Sequence, residues 1–226
     1  MIRVVVIGIQ GKMGSVMADT IKREKDMELL GGVERDSPEY PKDIKAFPQA
    51  DVFVDFTNPD ATLQHIKFSQ KPYLIGTTGF SLSQLKEIKE KSKEIPILLS
   101  PNFSIGVNLL FRLTEYASRV LKNYDARIIE LHHSEKRDAP SGTAKRLREI
   151  IKEVKKRAPG VVSVRAGGIT GEHTVLFATK GERIELTHRA ESREAFAKGA
   201  LLAIRFIHTR PPGLYSMRDV LQNYPV

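Results

Sequence analysis

Residues 4–14 read Val-Val-Val-Ile-Gly-Ile-Gln-Gly-Lys-Met-Gly, an apolar run followed by glycines at positions 8, 11 and 14. The run has the length of a buried strand, and Met13, Val16 and Met17 then recur at helical spacing. Glycines between a strand and a helix let the backbone approach a pyrophosphate, which the N–H groups and dipole of the helix N-terminus attract. The stretch therefore predicts a dinucleotide-binding βα unit, and a tight turn that only packs the strand on the helix is the alternative.

The rest of the first half of the chain alternates between strand and helix signals. Asn58-Pro59 gives a helix start with Asn as the cap, and Ser81 to Gln84 fits a capping box. Alternating strands and helices predict a parallel sheet covered by helices on both faces, which is a Rossmann-type arrangement. The further strands are predicted at residues 29–33, 51–56, 73–75 and 95–99.

The pattern changes after Asn102, where we expect a second domain. Lys180-Gly181-Glu182 predicts a hairpin between two strands, and the block predicts an α+β domain with an open, mixed and mostly antiparallel sheet. A last helix and the tail with Arg218-Asp219-Val220-Leu221 are expected to return to the first domain. The predicted helices cover residues 107–121, 141–156 and 192–207, and the predicted strands cover 126–131, 161–166, 174–179 and 183–188.

These patterns predict the fold class and the domain boundaries. We expect an α/β protein with an N-terminal Rossmann-type parallel sheet and an α+β domain that carries an open mixed sheet. The Rossmann-type domain is expected to comprise residues 1–104 and 194–226, and the α+β domain residues 105–193.

The charge balance argues against a nucleic-acid partner, although the formal net charge is +9, from 36 basic and 27 acidic side chains. The basic residues are spread along the chain, often beside Glu as in residues 86–91, which is typical of a solvated helix face. No nucleic-acid motif accompanies them, so we expect no nucleic-acid binding and only a general attraction for anionic substrates.

The absence of cysteine and of long apolar runs excludes several other classes. With no cysteine, disulfides, thiolate nucleophiles and cysteine-ligated metals are excluded, and a reducing compartment fits. No apolar run approaches the roughly 20 residues that span a bilayer. The start of the chain lacks the basic leader and cleavage site of a signal peptide. We therefore expect a cytoplasmic protein without a membrane partner.

The end of the second predicted strand supplies candidates for the adenosine half of a dinucleotide. Glu34 is placed to accept hydrogen bonds from ribose hydroxyls, which favours NADH. Its neighbour Arg35 is suited to a 2′-phosphate, which favours NADPH. The acid–base pair suggests use of both cofactors, and ordinary surface charges are the alternative for each residue.

Three later strand ends carry small, hydroxyl or amide residues, at Phe56-Thr57, Gly76-Thr77-Thr78-Gly79 and Ser100-Pro101-Asn102-Phe103. In an open parallel sheet, ligands bind at the carboxyl ends of the strands. These groups suit a nicotinamide carboxamide and its ribose. Each loop alone is more typical of a plain βα connection, whereas the three together indicate an edge lined by cofactor.

Residues 130–144, Glu-Leu-His-His-Ser-Glu-Lys-Arg-Asp-Ala-Pro-Ser-Gly-Thr-Ala, concentrate the polar chemistry. His132 can exchange a proton near neutral pH, and Lys136 adds a positive charge or a proton. Ser141 is a good helix cap, and N–H groups of Gly142 and Thr143 behind it would suit a carboxylate.

This run has three alternative interpretations: a capped helix start, a metal site and a nucleophilic Ser141. Adjacent histidines on a strand point to opposite faces, so His132 and His133 are not expected to share a metal, and we expect none. No G-x-S-x-G elbow surrounds Ser141, which argues against a nucleophile.

With these residues in view, the sequence resembles the dihydrodipicolinate reductase family, also called 4-hydroxy-tetrahydrodipicolinate reductases. The resemblance covers nearly the whole chain, and residues 130–144 are its most specific part. The other matching stretches are Gly8 to Gly14, Asp55-Phe56-Thr57, Gly76 to Phe80, Pro101 to Ser104, Gly171 to Thr174 and Met217 to Leu221.

The resemblance implies a Rossmann domain and a substrate domain whose open sheet also builds a homotetramer. It implies hydride transfer from NADH or NADPH to a small cyclic dicarboxylate, giving tetrahydrodipicolinate for diaminopimelate and lysine synthesis. His132 is implied as the catalytic acid/base and Lys136 as the proton donor. The implied dicarboxylate site is His133, Lys136, Ser141, Gly142 and Thr143. The implied cofactor site is Gly8, Ile9, Gln10, Gly11, Lys12, Met13, Glu34, Arg35, Phe56, Thr57, Gly76, Thr77, Thr78, Ser100, Pro101, Asn102 and Phe103.

One segment departs from the family. Residues 36–50 are short and contain Pro38, Pro41 and Pro48, whereas many relatives carry a longer stretch there. We expect a helix of the sheet to be trimmed or replaced by a loop, which leaves the wall of the adenine site and the choice between NADH and NADPH open.

Other oxidoreductases and a sensor are the rival interpretations. A semialdehyde dehydrogenase needs a cysteine nucleophile, which is absent. Homoserine-type and aspartate-type dehydrogenases do not explain residues 130–144. A non-enzymatic NAD(H) sensor would keep the glycine loop and have no need of a proton donor.

Overall fold

The structure of the protein is a computed structural model, which describes residues 1–222. It divides into two compact units, the first formed by Met1–Ser104 and the chain from Phe196 onward, the second by Ile105–Ala195. The expected α/β class, with a parallel sheet and a separate mixed sheet, is confirmed. No helix within residues 1–222 is both long and apolar enough to cross a membrane.

The first unit is built on a six-stranded sheet in the order β10-β5-β4-β3-β1-β2, in which every paired strand is parallel. Its strands are β1 (Ile2–Ile7), β2 (Met27–Val33), β3 (Val52–Asp55), β4 (Tyr73–Ile75), β5 (Pro96–Leu99) and β10 (Gly213–Tyr215). Its helices are α1 (Lys12–Ile21), α2 (Pro59–Phe68), α3 (Leu82–Lys91), α6 (Glu194–Ile207) and α7 (Met217–Gln222).

Strand β1 shows why helices cover both faces of this sheet. Val4 and Val6 belong to a cluster with Met17 of α1 and Ile204 of α6, whereas the alternate residues of β1 join a cluster with α2 and α3. Both faces are therefore apolar, as a doubly covered parallel sheet requires.

The first unit contains one strand that the sequence did not predict and one loop in place of a helix. Strand β10 is absent from the predicted strands, because its three residues become a strand only by pairing with the distant strand β5. Between β2 and β3 the only regular element of the described chain is the short 3-10 turn Ile44–Ala46, which Asp43 caps through the N–H of Lys45 at 2.9 Å. The missing helix is thus replaced by a loop, as expected.

The second unit carries a four-stranded sheet in the order β7-β6-β8-β9. Strand β6 is parallel to β7 and antiparallel to β8, so the sheet is mixed, as predicted. Helices α4 and α5 pack on one face through a core that includes Leu110, Leu147 and Phe177. The elements are α4 (Ile105–Val120), β6 (Asp125–His132), α5 (Gly142–Lys155), β7 (Gly160–Arg165), β8 (Glu172–Ala178) and β9 (Arg183–Arg189).

Candidate functional site

The loop between β1 and α1 can be formed only with glycine at two positions. Gly8 has φ +77°, and a Cβ there would lie 2.9 Å from the Thr57 side chain. A Cβ on Gly14 would lie 1.9 Å from the carbonyl oxygen of Gly8. Gly11 is the N-cap of α1, and no side chain caps this helix end. The loop therefore leaves the helix N-terminus accessible to an anion such as a pyrophosphate.

Glu34 and Arg35, which follow β2, lie beside this glycine loop. Glu34 accepts a hydrogen bond from the backbone N–H of Gln10 at 3.2 Å. Arg35 binds the carboxylate of Asp36, with Nη2 2.9 Å from Oδ2. A cleft of about 400 Å³ has these residues in its wall. Its lining includes the predicted cofactor residues Gly8, Gln10, Gly11, Glu34, Arg35, Phe56 and Thr57.

A buried aspartate joins two of the strand-end loops. Asp55, at the end of β3, has no exposed surface and accepts hydrogen bonds from Tyr73 Oη at 2.8 Å and from Thr57 Oγ1 at 2.6 Å. Thr77 Oγ1 donates to the same carboxylate at 3.2 Å. Burial, together with the Asp55 charge, raises the pKa of Tyr73, so its hydroxyl keeps its proton. The network fixes the position of one predicted cofactor loop against the other.

The loop after β5 packs against the loop after β3. Phe103 contacts Phe56 edge to face, with ring centroids 6.1 Å apart. Ser100 Oγ donates to the carbonyl of Asn102 at 2.7 Å, and Asn102 Oδ1 accepts from the N–H of Ser104 at 2.9 Å.

The remaining predicted cofactor residues differ in how much of their side chains can reach a ligand. The side chains of Ile9 and Phe103 are buried in the core of the first unit, so only their backbone can face a ligand. Residues with some exposure are Lys12, Met13, Gly76, Thr78, Pro101 and Asn102, whereas Thr77 and Ser100 are buried.

In the second unit, β6 places Glu130 and His132 on the same face, since residues two apart on a strand point the same way. His132 Nδ1 is hydrogen-bonded to Glu130 Oε2. Glu130 Oε1 accepts from Arg165 Nη2 at 2.8 Å and from the backbone N–H of Ser141 at 3.3 Å. Burial alone would raise the pKa of Glu130, but hydrogen bonds from Arg165, Ser163 and His132 outweigh it and hold the pKa at about 2. Glu130 is therefore a buried carboxylate that stays ionised.

Ser141 begins α5 beside a second histidine. Its Oγ accepts from the N–H of Ala144 at 3.2 Å and lies 3.0 Å from His173 Nε2. The predicted helix cap at Ser141 is confirmed. Gly142 and Thr143 are the first two residues of α5; Gly142 is exposed and Thr143 is half-buried. Burial, with a smaller effect of His132, lowers the pKa of His173 to about 3, so His173 is neutral at physiological pH.

Arg165 also organises the loop that carries Lys136. Its guanidinium donates to the carbonyl oxygens of Lys136 at 3.2 Å and of Asp138 at 2.6 Å. The Lys136 ammonium donates to Asp138 Oδ1 at 2.6 Å. The backbone N–H of Lys136 donates to the carbonyl of His133, which is itself half-buried. The structure thus brings His132, Ser141 and the Lys136 loop together around the buried Glu130 and its half-buried partner Arg165.

Sequence reasoning did not select Glu130, Arg165, His173 or Asp138 as site residues. Glu130 stands two residues before His132, and strand alternation is the signal that would have placed both on one face. Donor atoms of Glu130, His132 and His173 lie within 4.8 Å of one another. We interpret them as a hydrogen-bonded network rather than a metal centre, because Arg165 already neutralises the carboxylate.

Comparison with known proteins identifies the family. The profile described as "Dihydrodipicolinate reductase, N-terminus" matches residues 2–103, and the one described as "Dihydrodipicolinate reductase, C-terminus" matches residues 106–221. The chain belongs to the dihydrodipicolinate reductase family. It is therefore an oxidoreductase, as the sequence predicted.

Two relatives match this chain over nearly the whole length of both sequences. The 4-hydroxy-tetrahydrodipicolinate reductase of Aquifex aeolicus (strain VF5) is 43% identical over 261 aligned positions, which cover 97% of this chain and 98% of the relative. The 4-hydroxy-tetrahydrodipicolinate reductase of Caldanaerobacter subterraneus subsp. tengcongensis is 39% identical, and the alignment covers 98% of this chain and 99% of that relative. Because 261 positions exceed the 226 residues of this chain, the first relative has residues without a counterpart here.

Solved structures agree with this assignment. Dihydrodipicolinate reductase from Paenisporosarcina sp. TG-14, with dipicolinate bound, superposes with a TM-score of 0.83 at 26% identity, over 96% of this chain and 97% of that chain. The diaminopimelate dehydrogenase of C. glutamicum superposes with a TM-score of 0.63 at 15% identity, over 99% and 96% respectively, which shows the fold alone.

Proposed function

We propose that this chain reduces 4-hydroxy-tetrahydrodipicolinate to tetrahydrodipicolinate with NADH or NADPH, in the route to diaminopimelate and lysine. The observation that carries the proposal is the placement of Ser141, which begins α5, within the network that holds His132 and the Lys136 loop. A helix start with Gly142 exposed, beside a proton-exchanging group and a lysine, suits an anionic ring that must be protonated on reduction. The dipicolinate held by the Paenisporosarcina relative is a dicarboxylate of this kind.

The first unit is proposed to bind the dinucleotide. The glycine loop fits a pyrophosphate, because a Cβ at Gly8 or Gly14 would fill the backbone cradle. Glu34 is the proposed partner of the adenine ribose, and Arg35 of a 2′-phosphate. When bound, the reduced nicotinamide supplies the hydride. The loops after β3, β4 and β5 are proposed to position it.

The second unit is proposed to bind the dicarboxylate. The N–H groups at the start of α5 and the hydroxyl of Ser141 would hold one carboxylate, with His133 and Lys136 contributing charge and hydrogen bonds. Hydride addition to an unsaturated ring conjugated with C=N builds electron density that must be protonated. We assign that proton to Lys136, with His132 as the acid/base beside it.

Assembly and location follow as proposals from the same assignment. The sheet face opposite α4 and α5 bears apolar side chains that are partly or largely exposed, which supports the proposed homotetramer through this face. These side chains are Ile129, Leu131, Val162, Val164 and Leu176. We place the enzyme in the cytoplasm, where its substrate and cofactors would be available.

The test is oxidation of NADH and of NADPH, followed by absorbance, with freshly generated product of dihydrodipicolinate synthase. We expect rapid oxidation that depends on this substrate. Cofactor binding without substrate-dependent oxidation would contradict the proposal and favour a sensor or a different oxidoreductase. Sedimentation velocity at several protein concentrations tests the tetramer.

A further inference from the structure

Glu130 is a charged residue in a place where an isolated charge would be costly. Its side chain has no exposed surface, and Arg165, on the neighbouring strand β7, supplies the compensating charge at 2.8 Å. Removing water from a carboxylate costs several kcal/mol unless a partner and hydrogen bonds replace the lost hydration. Apolar residues would fill the same position at lower cost, so the carboxylate itself calls for an explanation.

The hydrogen bonds of Glu130 divide between its two oxygens. Oε1 is occupied by Arg165 and by the N–H of Ser141, whereas Oε2 contacts His132 Nδ1. An ionised carboxylate only accepts hydrogen bonds, so the ring nitrogen that faces it must carry the hydrogen. In the neutral imidazole the other nitrogen, Nε2, is then the one with the free electron pair.

The surroundings of His132 hold the ring in this orientation. A Cβ built on Gly171 would lie 3.1 Å from His132 Nε2, so a glycine at this position leaves space for that edge of the ring. The His173 ring packs edge to face against the His132 ring, with the two centroids 5.1 Å apart. Turning the imidazole over would move Nδ1 away from Glu130 and remove one of the hydrogen-bond donors of the buried carboxylate.

We propose that Glu130, paired with Arg165, is a positioning residue that fixes His132 in the Nδ1–H tautomer and makes Nε2 its proton-transfer atom. This inference rests on the proposed role of His132 in the reduction. Glu130 is fully buried and acts through His132, so it is not itself a catalytic residue. Arg165 serves the same arrangement by holding Glu130 and the backbone of the Lys136 loop.

The charge on Glu130 also affects how readily His132 gains a proton. Burial lowers the pKa of His132, and the Glu130 carboxylate raises it and so offsets part of that effect. The other titratable or charged groups that face His132 are Arg165 on β7, His173 on β8 and Lys136 in the loop after β6. Replacing Glu130 with a neutral group should therefore lower the pKa of His132.

The first experiment reads the tautomer directly. Nitrogen-15 NMR of the histidine side chains in the full-length enzyme distinguishes Nδ1–H from Nε2–H, and a His132→Gln variant identifies the resonances of His132. We expect the Nδ1–H tautomer when His132 is neutral. Observation of the Nε2–H tautomer in the unsubstituted enzyme would overturn the proposal, whatever its activity.

The second experiment uses Glu130→Gln, which preserves shape and removes the charge. We expect kcat to fall by about 10- to 100-fold, at or below the low end of the roughly 10²- to 10⁴-fold that general acid–base catalysis contributes, because His132 itself is retained. The KM for the dinucleotide should be nearly unchanged, since Glu130 belongs to the second unit and the proposed dinucleotide residues belong to the first. The pH limb that reports protonated His132 should move to lower pH, a shift that a merely structural role would not produce.

Glu149→Gln is the matched control, because Glu149 pairs with Arg146 at 3.3 Å on the exposed side of α5. It should change neither kcat nor the pH profile. If Glu130→Gln fails to fold, Arg165→Lys keeps the positive charge but loses the fork of donors that holds Glu130. It should lower kcat less than Glu130→Gln and leave the pH limb in place, because the Glu130 carboxylate is retained. Unchanged kcat and pH limb in a folded Glu130→Gln enzyme would overturn the proposal. A correct tautomer in an enzyme inactive on the dicarboxylate would contradict the proposed function alone.

Discussion

Tyr73 donates a hydrogen bond of 2.8 Å to Asp55, and both side chains are fully buried where two neighbouring parallel strands end. Asp55 also binds Thr57 and Thr77, which lie in the two loops that follow those strands. One carboxylate thus sets the spacing between two parts of the proposed nicotinamide site.

We expect Asp55→Asn to weaken binding of NADH and to destabilise the fold by about 1–3 kcal/mol, because buried donors lose their charged acceptor. Fluorescence titration with NADH and urea unfolding measure the two effects. Tyr73→Phe removes one donor and leaves the carboxylate bound to Thr57 and Thr77, so its effects should be smaller. Equal NADH affinity in Asp55→Asn and the unsubstituted enzyme would show that the network does not shape the cofactor site.

Lys136→Ala should lower kcat on the order of 100-fold, since it removes the proposed proton donor. Its NADH affinity should be nearly unchanged, because the proposed dinucleotide residues all belong to the first unit. Steady-state kinetics and NADH titration check both statements. The control is Lys152→Ala, an exposed lysine of α5. Full turnover in Lys136→Ala would remove this residue from the chemistry.

Asp36→Asn should shift the cofactor preference toward NADPH. Asp36 now occupies the guanidinium of Arg35, and both side chains are largely exposed. Exposed ion pairs contribute little, so the ratio of kcat/KM for NADPH over NADH should rise by no more than about 5-fold. Asp19→Asn, which breaks an exposed pair with Lys22 on α1, is the control. A ratio equal to that of the control would show that Asp36 does not compete for Arg35.

Acid should weaken the contact between β1 and the start of β3. The Arg3 guanidinium, despite some opposing desolvation, lowers the pKa of Asp51 to about 2. A carboxyl whose pKa is lowered by folding stabilises the protein above its unfolded pKa of about 3.9, and this stabilisation is lost as the pH falls toward 2.

We therefore expect Asp51→Asn to lower the free energy of unfolding by about 1 kcal/mol at pH 7, a value discounted for the exposure of Arg3. The difference should shrink as the pH approaches 2. Urea unfolding at a series of pH values measures it, with Asp19→Asn as the reference. A difference that does not depend on pH would assign the effect to packing rather than to charge.

Local signals in the sequence predict most of the first unit. The glycine loop, the Asn58-Pro59 helix start and the capping box at Ser81 each depend on residues within a few positions of one another, and the structure contains all three. Such short-range preferences can be recognised without knowing how the chain folds back on itself.

The parts that could not be predicted depend on pairing between distant segments. Arg165 reaches Glu130 because β7 lies parallel to β6 in a register that places Arg165 beside His132. Nothing near Arg165 in the sequence indicates this partner. Likewise β10 becomes a strand by pairing with β5, although its residues lie more than a hundred positions further along the chain. The candidate residues were thus predictable, and the contacts that hold them were not.

The order of the two units along the chain has a consequence for synthesis on the ribosome. Residues 105–195 form the second unit without interruption, whereas the first unit needs β10 and the part of α6 from Phe196 onward, which follow that segment. Chains emerge from the N-terminal end, so the second unit is complete while the first still lacks a face of its core and an edge strand. During that interval the apolar surface of β1 that α6 will cover is exposed, and we expect it to be a binding site for a chaperone.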